Sequence, residues 1–127
     1  MGLVTITGTL ATDETTARSM TSSFILDVIN FFDTTQPVGT TYEMVATTAD
    51  AGSPYMWTMV ENTGSQEAVV RVTPSVGDYL FFPLPAYAKM LIPAGWGQAS
   101  GGVSTGSVHA RALTGTSILR VIALFVA

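Results

Sequence analysis

From Thr40 onward, no stretch of this chain runs much beyond about ten residues before turn-forming residues interrupt it. The interruptions are Ala49-Asp50-Ala51-Gly52-Ser53-Pro54, Asn62-Thr63-Gly64-Ser65, Pro74-Ser75-Val76-Gly77-Asp78 and Thr114-Gly115-Thr116, with a Gly-rich segment around Trp96. Punctuation this dense leaves no room for long helices and matches the rhythm of hairpins. Between the interruptions lie runs rich in Val, Ile, Tyr and Phe, the residues that suit a pleated surface. Strands are therefore predicted over 42–48, 55–61, 68–73, 79–84, 87–92, 103–112 and 117–126. In the second of these Tyr55, Trp57 and Met59 share one face, with Met56, Thr58 and Val60 on the other. Pro83, Pro85 and Pro93 confine their segments to sheet edges or strand ends, because each removes a ladder donor.

The first third reads differently. Residues 3–9 alternate Leu3, Thr5, Thr7 and Thr9 against Val4, Ile6 and Gly8, a half-buried strand at most, and residues 10–21 are polar and read as irregular. In the segment that follows, Ser23, Asp27, Asn30 and Thr34 fall at i, i+4, i+7 and i+11, one stripe of a helix. A simple strand would put Asp27 and Asn30 on opposite faces, each in apolar company. Ser22 or Ser23 can cap the start, and Pro37 with Gly39 can end the segment. The spacing thus predicts one amphipathic helix over residues 23–33, its side of Phe24, Ile25, Val28, Ile29 and Phe32 covering a sheet. The expected fold is mainly β, an antiparallel β-sandwich or jelly-roll-like architecture with that helix attached. At 127 residues it is expected to be a single β-rich domain over 1–127, with residues 1–21 readable as an extended N-terminal arm.

Composition bears on function through its imbalance. Charged residues make up 11% of the chain and hydrophobic ones 47%, against roughly a quarter charged in an ordinary soluble domain. A surface built from so few charges suits contact with other protein. Cys is absent, which removes disulfides and thiolate metal sites. Met1-Gly2-Leu3-Val4-Thr5 carries neither a basic nor an apolar leader pattern, which points to a product made in the cytoplasm. The most apolar stretches, around Tyr79 to Ala88 and Ile118 to Ala127, have about half the length a spanning helix needs, so no membrane partner is expected. Net charge is −4, and Arg18, Arg71, Lys89, Arg111 and Arg120 form no basic stripe, so no nucleic acid is expected either.

No catalytic constellation emerges. Gly95-Trp96-Gly97-Gln98-Ala99-Ser100-Gly101-Gly102 resembles a phosphate loop superficially, but a strand pattern follows it and no Gly-Lys-Ser/Thr is present. A contact loop anchored by Trp96 fits better. His109 is the sole histidine, and no Ser sits in a nucleophile elbow. The acidic residues show no calcium-loop spacing. Neither enzyme activity, cofactor nor metal is expected. His109 and Arg111, two apart in a strand, share one face, either an exposed sheet face or a polar interface patch. Tyr55, Trp57, Tyr87 and Trp96 permit one further reading, a sugar-stacking platform.

Residues 57–122 carry a resemblance. Trp57-Thr58-Met59-Val60-Glu61 leads into an Asn62-Thr63-Gly64-Ser65 turn and a Val70-Arg71-Val72 strand. A Pro-containing apolar segment follows, Leu84-Pro85 to Leu91-Ile92-Pro93, then Ala110-Arg111-Ala112-Leu113, a Thr114-Gly115-Thr116 turn and a last hydrophobic strand. This order of strands and turn types resembles the small β-rich virion structural proteins of tailed bacteriophages, of the capsid decoration or cement type. The resemblance implies a noncatalytic protein located in the virion, trimeric by preference, that binds a major capsid protein or another virion protein. Phe81, Phe82, Leu84 and Tyr87 are the candidates for self-association, being large apolar groups near a proline-marked margin. Trp96, Thr5, Thr7 and Thr9 are the candidates for contact with the particle. A tail or head-completion protein is the alternative within this class, and a glycan- or protein-binding β-sandwich module the alternative outside it.

Overall fold

The computed structural model describes residues 2–11, 19–47, 55–73, 79–94 and 106–126. Nine strands occupy most of them: β1 (Gly2–Ala11), β2 (Ser19–Val38), β3 (Glu43–Thr47), β4 (Tyr55–Asn62), β5 (Ala68–Thr73), β6 (Leu80–Leu84), β7 (Lys89–Ala94), β8 (Ser107–Ala112) and β9 (Ser117–Val126). All pairings are antiparallel, in a five-stranded sheet ordered β1-β2-β9-β4-β7 and a four-stranded sheet ordered β3-β8-β5-β6. From β2 onward the pairings are nested: β2 with β9, β3 with β8, β4 with β7, and β5 with β6. The cross-pairs β4–β9 and β5–β8 knit the nested hairpins into sheets.

The predicted strand patterns from residue 42 onward recur here with boundaries moved by a few residues. Period-two burial explains them. Met56, Val60, Leu119, Val121, Ala123 and Phe125 point inward from the first sheet, and Ala68, Val70, Val72, Val108 and Ala110 from the second. These groups form one core shared by the two sheets. Prolines sit where a missing N–H is harmless: Pro83 in β6 and Pro93 in β7 lie on edge strands. Pro37 lies in the part of β2 that pairs with β9 alone, since β1 accompanies β2 only as far as Val28.

The helix predicted over 23–33 is not present; those residues belong to the 20-residue strand β2. A bulge resolves the conflict that favoured the helix. The register with β9 shifts between Val28 and Asn30, so one extra residue, Ile29, is inserted. Before it Ser23 and Asp27, at odd positions, and after it Asn30 and Thr34, at even ones, lie on the same side of the strand, and all four are exposed. A polar pattern that fails a single strand thus fits two strand segments out of phase. The β-branched and aromatic content of the segment (Ile25, Val28, Ile29, Phe31, Phe32) supports the same outcome.

The bulge also redirects the chain. Phe24 packs against Trp57 on the outer face of β4, ring centroids 5.1 Å apart, and Val28 is fully buried. The β1–β2 hairpin therefore folds back over the outer face of the first sheet. Past the bulge, Phe32 turns inward onto Phe125, 6.0 Å between centroids.

Two buried polar groups mark opposite cases in this interior. Asn62 is fully buried, and its Nδ2 donates to the carbonyls of Gln66 (2.7 Å) and Leu84 (3.2 Å) while Oδ1 accepts from Gly64 N–H (3.1 Å). It ties the β4–β5 turn to the end of β6. Thr58 is equally buried, but its hydroxyl has no partner. Asn62→Ala is expected to destabilise the protein by about 2–3 kcal/mol, because buried carbonyls lose their donor. Thr58→Val keeps the shape and removes an unpaired hydroxyl, so it is expected to add about 1 kcal/mol, a few degrees in Tm. Denaturant and thermal unfolding read both, and a neutral Asn62→Ala would refute its tethering role.

Candidate functional site: an aromatic edge and a cationic sheet face

Strand β6 closes one edge of the second sheet. Its side chains break the in–out alternation of the other strands: Leu80, Phe81, Phe82 and Pro83 are all exposed and only Leu84 is buried. Phe82 stands opposite the buried Val70 yet remains 36% exposed. Tyr79 precedes the strand and Tyr87 follows it, 51% and 69% exposed. The result is a contiguous apolar and aromatic margin.

Tyr87 is held there at a cost. The turn Pro85-Ala86-Tyr87-Ala88 is closed by Ala88 N–H donating to Pro85 C=O at 3.1 Å, and Tyr87 occupies its third position with φ of 63°. That conformation favours Gly, and for a bulky residue it is strained. Strain kept in an exposed aromatic residue is a mark of a functional surface.

Inward from this edge, the outer face of the second sheet gathers cations. Arg71 of β5 stands opposite His109 of β8 on one side and Phe81 of β6 on the other. Its guanidinium carbon lies 4.4 Å from the ring centres of both Tyr42 and Tyr79, and that of Arg111 lies 5.4 Å from Tyr42. Tyr42 and Tyr79 both also approach Phe81, with centroids 6.1 and 6.3 Å apart. Burial, with the positive charge of Arg71 as the lesser cause, holds the His109 pKa below the usual imidazole value. The imidazole is therefore mainly neutral at neutral pH.

On the first sheet, charges are instead matched. Asp33, Arg120, Glu61 and Lys89 form a row of alternating sign across β2, β9, β4 and β7, with ion pairs Arg120–Asp33 at 2.7 Å and Lys89–Glu61 at 3.5 Å. The Asp33 pKa is lowered, chiefly by its hydrogen bond from Arg120. Above this row, an apolar groove of about 640 Å³ separates Val4 and Ile6 of the hairpin from Met59, Leu91, Ile122 and Leu124 of the sheet.

The sequence candidates distribute as follows. Phe81, Phe82 and Tyr87 lie together on the exposed margin, whereas Leu84 is 1% exposed and belongs to the core, anchoring the edge strand rather than presenting a surface. Thr5 and Thr7 are exposed on β1, across the molecule's other sheet from that margin. Thr9 pairs with Thr21 in the hairpin, its side chain outside the described residues, and Trp96 lies outside them entirely. Of the aromatic residues considered for a sugar platform, Trp57 lies against Phe24 and Tyr87 beyond the opposite end of the β4–β7 pair. Arg71 and its tyrosines were not legible as a cluster, since only the β5–β8 register brings Arg71 to His109. Among the described residues no group of His, Asp or Glu is placed to hold a metal, and no helix is long and apolar enough to cross a membrane. No family model matches the sequence, and no curated protein matches it.

A lowered His109 pKa has a consequence of definite sign. The unfolded chain, with an imidazole near its usual value of about 6.5, binds a proton more readily than the folded one. Stability is therefore full above that value and falls as pH drops toward the lower folded pKa. Thermal unfolding followed from about pH 7.5 to about pH 5.5 should reveal this loss, and His109→Gln should flatten it. An unchanged slope in the variant would assign the loss to other groups.

Proposed function

We propose that the chain is a noncatalytic structural protein of a virus particle, of the capsid decoration or cement type. The observation that carries this reading is the aromatic margin of Tyr79, Leu80, Phe81, Phe82 and Tyr87 on an edge strand. Apolar groups in a contiguous exposed row are the usual mark of a protein contact. The nested strand pairing supports it: β2-β9-β4-β7 and β3-β8-β5-β6 are the two sheets of a jelly-roll sandwich, an architecture used by viral coat domains as well as lectins and cupins. The resemblance of residues 57–122 to phage virion proteins points the same way.

In this role the margin joins copies of the chain, a trimer by preference, and another surface meets the shell. Such a protein works by mass action: binding only the assembled shell stabilises it in proportion to its affinity for that state. Few charges on the contact surfaces keep desolvation costs low.

Light scattering after size exclusion should give a defined multimer for the native chain. Phe82→Asp is expected to weaken association by at least about tenfold, the effect of losing one hot-spot residue. Tyr87→Gly separates surface from scaffold. It should raise stability by about 1 kcal/mol by relieving the positive φ, while weakening association. In lysates of the cells that produce it, the protein should band with particles of capsid density in a gradient. A native chain that stays monomeric at high concentration overturns the self-association role, and recovery only from the soluble fraction overturns the virion role.

A further inference from the structure

Two arginines and the sole histidine converge on one sheet face of a chain that has only five Lys and Arg and a net charge of −4. Dispersal would be the cheaper arrangement, because like charges brought together and partly covered repel and lose hydration. The other described cations have been given partners, Arg120 with Asp33 and Lys89 with Glu61. Among the described residues, Arg71 and Arg111 have no carboxylate within ion-pair distance. Arg71 Nε and His109 Nδ1 are covered and have no hydrogen-bond partner, and neither has the hydroxyl of Thr73 on the same strand as Arg71. Among the described residues the face is thus electrostatically uncompensated, and an anion would compensate it.

The walls select the shape of that anion. Tyr42 and Tyr79 both lie 4.4 Å from the Arg71 guanidinium carbon, which is over each ring. With its faces taken by rings, a guanidinium offers its edge, where N–H groups point in the plane. A flat carboxylate matches such an edge in a two-pronged hydrogen bond. The surroundings select the source: Phe81, Leu80 and Met44 are all more than half exposed around the cations, and an Arg and Tyr cluster with an apolar rim has the composition of a protein-binding hot spot.

We propose that the outer face of the second sheet, centred on Arg71, Arg111 and His109 and walled by Tyr42, Tyr79 and Phe81, binds an Asp or Glu side chain of an acidic protein partner. The carboxylate site stands on the geometry alone; the choice of a protein as its source rests on the assembly reading.

The single histidine provides the probe, since its imidazole proton signals in NMR report one residue. The groups of known charge or titration around it are Arg71 on β5, Arg111 on its own strand, Tyr42 before β3 and Tyr79 before β6; β3 itself contributes the neutral Met44. An N-acetylated, C-amidated tetraglutamate peptide should shift the His109 signals saturably and raise the pH at which they titrate, because a bound anion favours the imidazolium. By linkage the peptide should bind more tightly as His109 protonates. Tetraglutamine should do nothing. Arg71→Gln and Arg111→Gln should each weaken tetraglutamate binding by at least about tenfold, the effect of losing a charge-assisted hydrogen bond, while Arg120→Gln leaves it unchanged. Should Arg71→Gln fail to fold, Arg111→Gln carries the test. A tetraglutamate peptide that produces no saturable shift overturns the site. Tighter binding of inorganic phosphate overturns the carboxylate assignment, and tighter binding of sialyllactose overturns a protein as the source. Tyr79, Leu80 and Phe81 border both this site and the β6 margin, so light scattering of the same variants reads association separately.

Discussion

The first sheet has to bury both of its faces, and most of the molecule follows from that. Strand β9 lies between β2 and β4 and carries Leu119, Val121, Ala123 and Phe125 into the core. Its opposite face carries Ile122 and Leu124, which would meet water in a two-layer protein. The chain covers them by bending β2 at Ile29 and laying the β1–β2 hairpin across them. A strand buried on both sides reads as an unbroken apolar run, and Ile122-Ala123-Leu124-Phe125-Val126 is such a run. This gives the low charge content two separate origins. Part of it belongs to a sheet face covered from within, and the remainder, exposed along β6 and on β1 and β2 at Leu3, Ile25 and Phe31, is surface available to another molecule.

Where a charge could be accommodated on the first sheet, it is matched. The row Asp33, Arg120, Glu61 and Lys89 borders the groove, which Lys89 helps to line, and alternates in sign from strand to strand. Exposed pairs of this kind contribute little to stability, a few tenths of a kcal/mol each. They do favour the register, since a slip of one residue would part the pairs and turn the apolar positions to the wrong face. Among the described residues the outer face of the second sheet has no such arrangement, and Arg71 is flanked there by rings rather than by a carboxylate. The contrast between the two faces, within one acidic chain, is what makes the cationic one informative.

Local signals in the sequence were sufficient for the strands and turns of the second half. Thr114-Gly115-Thr116 turns with Gly115 at a φ of 67°, and Val70-Arg71-Val72 alternates in burial as period two requires. The same local reasoning failed at residues 23–33, because a bulge shifts the strand period by one and four polar residues then mimic a helical stripe. Leu84 was grouped with its exposed neighbours for a related reason. Nothing in Leu80-Phe81-Phe82-Pro83-Leu84 tells which end of an edge strand tucks under the sheets, and the donor from Asn62 that fixes this lies 22 residues away. Nor could spacing show that Arg71, noted only as a charge among valines, stands opposite His109. Pairings between distant strands are set by the whole core, so clusters formed across them are invisible until the register is known.

The strained Tyr87 and the uncompensated Arg71 flank the same strand, β6, and both are departures from what stability alone would select. A Gly in the turn and a Glu across from Arg71 would be the stable choices. Departures of this sort tend to collect where a surface has work to do, since the remainder of the fold can carry them. In the assembly role proposed, they divide that work. Aromatic groups along the margin supply contact area but little discrimination, because apolar surface adheres to other apolar surface without direction. A localised positive face on an otherwise acidic molecule supplies the direction, favouring acidic partners and penalising approach by other cationic surfaces. Stability given up at one edge strand would then be recovered as affinity and orientation in the assembled particle.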